Sequence, residues 1–469
     1  MRRAMARGGA ATATTREGAA RLDVVQRLLF LAIVFMPFQQ ALTIRVGSPL
    51  KITEIAVILA IGFSVITVQK DRYTPVGREI VLGLGALVVL ATIWAFLFKQ
   101  PEVPAAYGYD LGFTNDMILY CGYALLALAV WWYVGHRLGF QDMERALSIA
   151  VRLAFVFCAI QLALHLAGVP LPALLNSTIQ MGATFGVSLP RNGPFLEGNY
   201  LGFFAGIALF ACLRRRDRIG IAAAVACLVY SQSTSALIAT VSAAVLTATL
   251  RPQRGVGVQI FSVGALGALI VLLVPDLQRF VLAQLSKLGL GTGAVDVGTR
   301  SLNVRSQSSS TGFTMAADNP LFGVGPGRFG VWRTDYSQAV AGLSSNGASR
   351  GLANNVYAQL AAETGVIALA LFAVLLVMLI VRGYRRNGTA LGLGVFLAVA
   401  LASAPSWTAL TVWIALAYAA SLASEPLPAR TSIARSGLDS ERRAAAVSRA
   451  MAARPAPSTA RHEQLSDRR

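Results

Sequence analysis

The chain has 469 residues, of which 55% are hydrophobic and only 13% charged, and its mean hydropathy is +0.60. Soluble domains carry roughly 25% charged residues, so an ordinary soluble enzyme is excluded, as is a disordered chain poor in apolar residues. The 41 Lys and Arg against 22 Asp and Glu leave a net charge of +19. In a soluble protein that excess would point to nucleic acid, and in a membrane protein to cytoplasmic loops.

In chain order, residues 1–27 form a basic segment read as a disordered cytoplasmic N-terminus. A spanning helix needs about 20 predominantly apolar residues, and residues 28–274 hold nine candidates. They are Leu28–Ile44, Ile52–Val68, Glu79–Phe98, Asp116–Val134, Leu147–Ala167, Glu197–Leu213, Ile219–Ser231, Ser235–Leu250 and Val256–Val274. Residues 275–362 leave the apolar pattern, and residues 363–422 resume it with Glu363–Val381, Leu391–Ser403 and Trp407–Leu422. Residues 423–469 are a second basic tail, read as disordered and cytoplasmic. The expected fold is therefore all-α and polytopic, with about twelve transmembrane helices and one large extracytoplasmic loop containing short helices. A basic segment precedes the first span as in a signal peptide, but no convincing small-residue cleavage site follows, so it reads as an uncleaved helix.

The basic residues test this layout. With the N-terminus inside, 29 of the 41 lie in cytoplasmic segments, among them Arg214, Arg215, Arg216 and Arg218. The short outer loops hold only Arg45, Lys51, Lys99 and Arg191. This is the positive-inside pattern with both termini inside, and it leaves nucleic acid without support as a partner. All four cysteines fall in predicted spans, so neither a disulfide framework nor a metal cluster is indicated.

The loop over 275–362 is long enough to be functional. Asp276–Leu288 has the apolar spacing of an interfacial amphipathic helix. Gly291–Thr311 reads as a Ser/Gly/Thr-rich stretch, followed by a short helical run and the turn-rich Asn319–Gly327.

Four features carry candidate chemistry. Arg191 and Glu197 lie at the mouth of the sixth span in Arg191–Gly202, where ionisable groups pair structurally or bind a ligand. Arg300 and Arg305 have the guanidinium geometry for phosphate, although solvated loop charges or headgroup contacts look the same in sequence. The glycines of Pro320–Gly327 could bring N–H groups to an anion, but the lysine and spacing of a P-loop are missing, and such runs are mostly turns. The run Leu352–Gly365 places Asn354, Asn355 and Tyr357 near a helix start and Glu363 two turns on. An asparagine N-cap explains one of these residues.

Taken in order, these segments resemble the O-antigen ligase and O-antigen polymerase family of bacterial membrane glycosyltransferases. Arg191 to Gly202 matches an Arg followed by a polar helix start, and Ser231–Ser235 matches a polar break. Arg305 with Asp318-Asn319-Pro320-Leu321-Phe322-Gly323-Val324-Gly325 matches an Arg upstream of an Asp-His-Pro-Leu-x-Gly-x-Gly segment. Asn354-Asn355-Val356-Tyr357 with Gly365 matches a His-Asn segment, and the likeness spans Leu28 to Leu422. Asn354 and Asn319 stand where family ligases carry histidine, and the arginine of the polar break is missing. The chain has His136, His165 and His462 only, so a histidine base from the outer loop is excluded.

The resemblance implies an undecaprenyl-diphosphate oligosaccharide donor and a glycan or lipid acceptor on the outer face of the bacterial cytoplasmic membrane. It favours the polymerase over the ligase, since the ligases lean most on the missing histidine. Membrane lipids and a chain-length regulator are the further partners, and no cofactor or metal is expected. Arg191 and Arg305 are expected to clamp the diphosphate with Arg300 in reserve. Glu197, Asp318 and Glu363 are the candidate bases, with Glu197 preferred although it could equally be the partner of Arg191. Asp318, Asn354, Asn355, Tyr357 and Glu363 are the remaining candidate substrate contacts. The competing class is a lipid-linked oligosaccharide transporter. Against it stand the absence of an internal repeat and the clustering of charges at span ends and in one outer loop.

Overall fold

The computed structural model describes residues 22–38, 44–46, 48–67, 72–99, 113–171, 179–184, 187–251, 296–336, 352–404 and 406–425. The predicted ninth span, the amphipathic stretch Asp276–Leu288 and nearly all of both basic tails lie outside the described residues. What is described is helical apart from two small antiparallel ribbons.

Helix α1 (Val24–Val34) starts at a capping box between Asp23 and Gln26, in which each side chain accepts from the other's backbone N–H. It stops well short of the predicted Ile44, because Pro37 disfavours helical backbone just before it. Ile44 lies instead in β1 (Ile44–Val46), paired with β2 (Ser48–Leu50). Then follow α2 (Ile52–Thr67), α3 (Arg78–Phe98), α4 (Phe113–Arg137) and α5 (Phe140–Leu166). A second ribbon, β3 (Met181–Thr184) with β4 (Val187–Pro190), leads into α6 (Gly198–Arg215), α7 (Arg218–Ser231) and α8 (Thr234–Leu250).

The polar break between the seventh and eighth segments is a true helix boundary. Gln232 ends α7 in left-handed backbone (φ 49°), and Ser233 caps α8 by accepting from Ala236 N–H at 3.4 Å.

The Ser/Gly/Thr-rich stretch differs from expectation. Residues 296–311 are not a loop but most of α9 (Asp296–Asp318), whose average composition is slightly polar. Its buried stripe of Ser308, Thr311, Met315 and Ala316 packs toward α11 (Val356–Arg386), with Gly312 against Ala358. Tertiary packing here outweighs poor intrinsic propensity. Helix α10 (Phe329–Tyr336) follows, and after α11 come α12 (Gly388–Ala400) and α13 (Leu410–Ser424). Helix α11 is two helices joined at Gly365, whose φ of 86° and ψ of 173° break the ladder. A side chain at that position would be strained by φ and would run into the Leu321 carbonyl. The apolar span therefore begins after Gly365, and Glu363 belongs to the short helix before it.

By length and composition, Arg78–Phe98, Ile118–Arg137, Phe140–Leu166 and Val356–Arg386 can each cross a membrane. Large apolar side chains stand exposed along α3 (Val89, Leu90, Ile93, Leu97) and α11 (Val374, Val377, Val381), as lipid-facing surfaces do. The centre is formed by α6 and α13, with Phe204, Ile207, Trp413 and Tyr418 fully buried. Ion pairs bind the helices where α6 meets α7. Arg214 pairs with Glu144 at 2.8 Å, Tyr418 Oη donates to Glu144 at 3.1 Å, and Arg152 pairs with Asp217 at 2.6 Å.

Candidate functional site at the start of α6

Arg191 emerges from β4 directly ahead of α6. Its backbone N–H donates to the Gln180 carbonyl (3.0 Å), and the Gln180 side-chain oxygen accepts from Gly198 N–H, the first residue of α6 (2.8 Å). Glu197 occupies the N-cap position but makes no side-chain capping bond, so Gln180 satisfies that helix end from a distance. Gly198 permits close packing: a Cβ there would lie 2.5 Å from the Ser231 carbonyl and 3.2 Å from Arg191 Cγ. The start of α6 is thereby pressed between Arg191 and the polar break.

Arg305 reaches the same helix turn from α9. With the Asn199 amide oriented to suit its neighbours, its oxygen accepts from both terminal nitrogens of Arg305, and its nitrogen donates to Ser233 Oγ at 3.2 Å. Three of the sequence motifs thus meet at Gly198 and Asn199. Burial pushes the Arg191 guanidinium below its ordinary pKa, the charge of Arg305 adds to that, and Glu197 opposes both. Arg191 Nε is buried without a hydrogen-bond partner, and Glu197 makes no ion pair among the described residues. Two mutually repelling cations at a helix N-terminus, where the backbone already favours negative charge, form an environment suited to an anion.

The fourth motif builds a neighbouring scaffold. Asn355 caps α11, its oxygen accepting from Tyr357 and Ala358 N–H at 3.0 and 3.2 Å. Tyr357 Oη donates to the Ala398 carbonyl at 2.6 Å, tying α11 to α12. Glu363 is fully buried and accepts from Gln359 Nε2 (2.9 Å), Trp407 Nε1 (2.8 Å) and Phe329 N–H (3.4 Å). The turn after α9 is sewn to the same segment: Val324 and Gly325 N–H donate to the Ala362 and Glu363 carbonyls at 2.8 and 3.0 Å. Those amides are therefore taken up by the protein and do not line an anion cradle. Asn319 donates to the Met315 carbonyl and to Tyr336 Oη, at 3.0 and 3.3 Å.

The structure thus brings Arg191, Glu197 and Arg305 to one helix turn. Asn355, Tyr357 and Glu363 are engaged in the scaffold, and Asn354 sits half-buried ahead of the α11 cap with φ 52°. Asp318 is exposed at the far end of α9, roughly 20 Å along the helix from Arg305 at 1.5 Å per residue. The side chain of Arg300 lies outside the described residues. Sequence reasoning missed Gln180, Asn199 and Ser233. Asn199 stood inside a quoted motif and Ser233 inside the polar break, whereas Gln180 lies in a segment without any motif. The histidines in the described residues have local roles: His165 Nε2 bonds the Ser188 carbonyl at 3.0 Å, and His136 stacks on Trp132. Among the described residues no His/Cys/Asp/Glu group is arranged to hold a metal.

A bundle of apolar helices with two arginines gathered at one helix start defines a polytopic membrane protein with a cationic polar site. Residues 219–373 match the family model described as O-Antigen ligase. That stretch, about a third of the chain, is therefore similar to the O-Antigen ligase family model. The matched region runs from α7 through α9, with Arg305, and past the Gly365 break into α11; Arg191 lies upstream of it. No curated protein matches the chain.

Proposed function

We propose that the protein polymerises undecaprenyl-diphosphate-linked oligosaccharide repeat units at the outer face of the bacterial cytoplasmic membrane, with both termini in the cytoplasm. The supporting observation is the convergence of Arg191 and Arg305 on the first turn of α6, with Arg191 Nε lacking a hydrogen-bond partner among the described residues. In this reading the two guanidiniums hold the diphosphate. An acceptor hydroxyl attacks the anomeric carbon of the donor, forming the new glycosidic C–O bond as the bond to the diphosphate oxygen breaks. Lipid diphosphate leaves with the electron pair, and the hydroxyl proton passes to Glu197, whose carboxylate makes no ion pair among the described residues. A diphosphate is already a good leaving group, so the larger demand is stabilising the charge that builds on it. Asn354, in the position of the family histidine, orients the acceptor by hydrogen bonding, while Asn355, Tyr357 and Glu363 shape the wall on which it sits. The O-Antigen ligase description of the matched segment favours a second reading, the same step with a lipid A core as acceptor.

The test is incubation of the purified protein with lipid-linked oligosaccharide. Lengthened glycans with released lipid diphosphate support the polymerase, and transfer only to added lipid A core supports the ligase. Translocation without transfer would show a transporter and overturn both. A preorganised charge donor contributes on the order of 3–4 kcal/mol, so Arg191→Ala and Arg305→Ala are each expected to lower kcat about 10²–10³-fold. Wild-type turnover by either properly inserted variant would remove the arginine from the mechanism.

A further inference from the structure

We infer that Gln180 is a positioning residue for Arg191, the near end of a buried polar relay that holds the anion clamp in register with α6. The inference rests on the clamp reading above. Gln180 makes three bonds at the site: its N–H donates to Asn192 Oδ1 (3.1 Å), its carbonyl accepts from Arg191 N–H (3.0 Å), and its side-chain oxygen accepts from Gly198 N–H (2.8 Å). It thus fixes the backbone of the arginine and the helix turn on which that arginine packs.

The relay continues inward. Asn192, fully buried, donates from Nδ2 to the Phe195 carbonyl at 2.7 Å and receives Gln161 Nε2 at 3.4 Å. Gln161, also fully buried, accepts from Tyr230 Oη of α7 at 2.9 Å. A chain of polar groups through an apolar bundle is costly unless every member is satisfied. This one links α5, α7, the β3–β4 segment and the first residue of α6 behind Arg191. Arg305 comes from α9 and is held through Asn199. The relay therefore bonds the Arg191 backbone directly and reaches Arg305 only through the α6 turn that carries Asn199.

That asymmetry gives the test. Full-length protein in lipid nanodiscs is titrated with inorganic pyrophosphate. Gln180→Met keeps the length of the side chain and removes the acceptor; Tyr230→Phe removes only the distal hydroxyl and leaves the hairpin intact. Misplacement by about 1 Å costs up to a hundredfold in comparable sites, so Gln180→Met is expected to weaken pyrophosphate binding about tenfold. Tyr230→Phe should do the same to a smaller degree. Both effects should persist in an Arg305→Ala background and be much smaller in an Arg191→Ala background, where only Arg305, reached indirectly through the α6 turn, holds the anion. Equal weakening in both backgrounds, or none in either variant, would overturn the positioning role while leaving the clamp intact. Undiminished binding by Arg191→Ala itself would instead overturn the clamp, and the positioning role with it.

Discussion

Asn354 shows how much one residue type conveys. Its backbone is left-handed, with φ 52°, a region that Asn, Asp and His tolerate and β-branched residues do not. Asparagine meets this backbone requirement, and a histidine at the same position would meet it with a different side chain. Asn354→His is therefore expected to fold with an unchanged melting temperature, whereas Asn354→Val should destabilise by about 1–3 kcal/mol from strain alone. Thermal unfolding of the two purified variants checks this, and equal stability of both would refute the backbone argument. A gain of transfer to lipid A core by Asn354→His would further show that the position still meets the acceptor. Its neighbours illustrate what a sequence conceals. The types and spacing of Asn355, Tyr357 and Glu363 are plain in the chain, but their partners Ala358, Ala398 and Trp407 come from the same helix, a distant helix and a distant turn. Nothing local distinguishes a carboxylate that binds substrate from one locked onto an indole N–H.

At the scale of elements, the apolar helices were legible because twenty-residue runs of hydrophobic side chains have few other destinations. Helix α9 was not, since its polarity and glycines read as loop, and it is folded by a stripe of small residues against α11 that only the assembled bundle supplies. Arg152 was also passed over, although it lies well inside α5, because its partner Asp217 caps α7 and is 65 residues away. That contact yields a pH prediction. Burial alone would raise the Asp217 carboxyl, but bonds from Ser148, Arg152 and Gly220 N–H, with the charge of Arg152, outweigh it and bring its pKa from 3.8 down to about 2. A folded-state pKa below the unfolded one means stability that is fully present above pH 4 and is lost as the pH falls toward 2. With Arg152 43% exposed, the contribution is discounted to about 1–2 kcal/mol. Asp217→Asn retains an N-cap side chain and removes only the charge. It should melt lower than wild type at pH 7 and show a shallower loss of melting temperature between pH 4 and 2. Parallel curves for the two proteins would rule the ion pair out as a source of stability.

For the whole molecule, the question is which side of the membrane the proposed arginine clamp occupies. The basic residues are distributed so that 29 of 41 fall on the side assigned to the cytoplasm, and Arg191 is among the few that do not. Helix α6 is the element that would join the two sides. It begins beside Arg191 and ends at Arg214 and Arg215, with Arg216 terminating it in left-handed backbone. Its 18 residues span about 27 Å at 1.5 Å per residue, close to the roughly 30 Å hydrocarbon core. Leu196 and Arg216, both exposed just beyond its ends, must therefore lie on opposite faces of the bilayer if α6 crosses it. Single cysteines at these positions can be distinguished from the native ones, because Cys158, Cys212 and Cys227 are buried and Cys121 is only partly exposed. In intact cells an impermeant maleimide should label Leu196→Cys at once and Arg216→Cys only after the membrane is permeabilised. The reverse order would put the clamp in the cytoplasm, where a donor displayed on the outer leaflet cannot reach it. Labelling of both from outside would mean that α6 does not span, and the arrangement of the basic residues would then need a different cause.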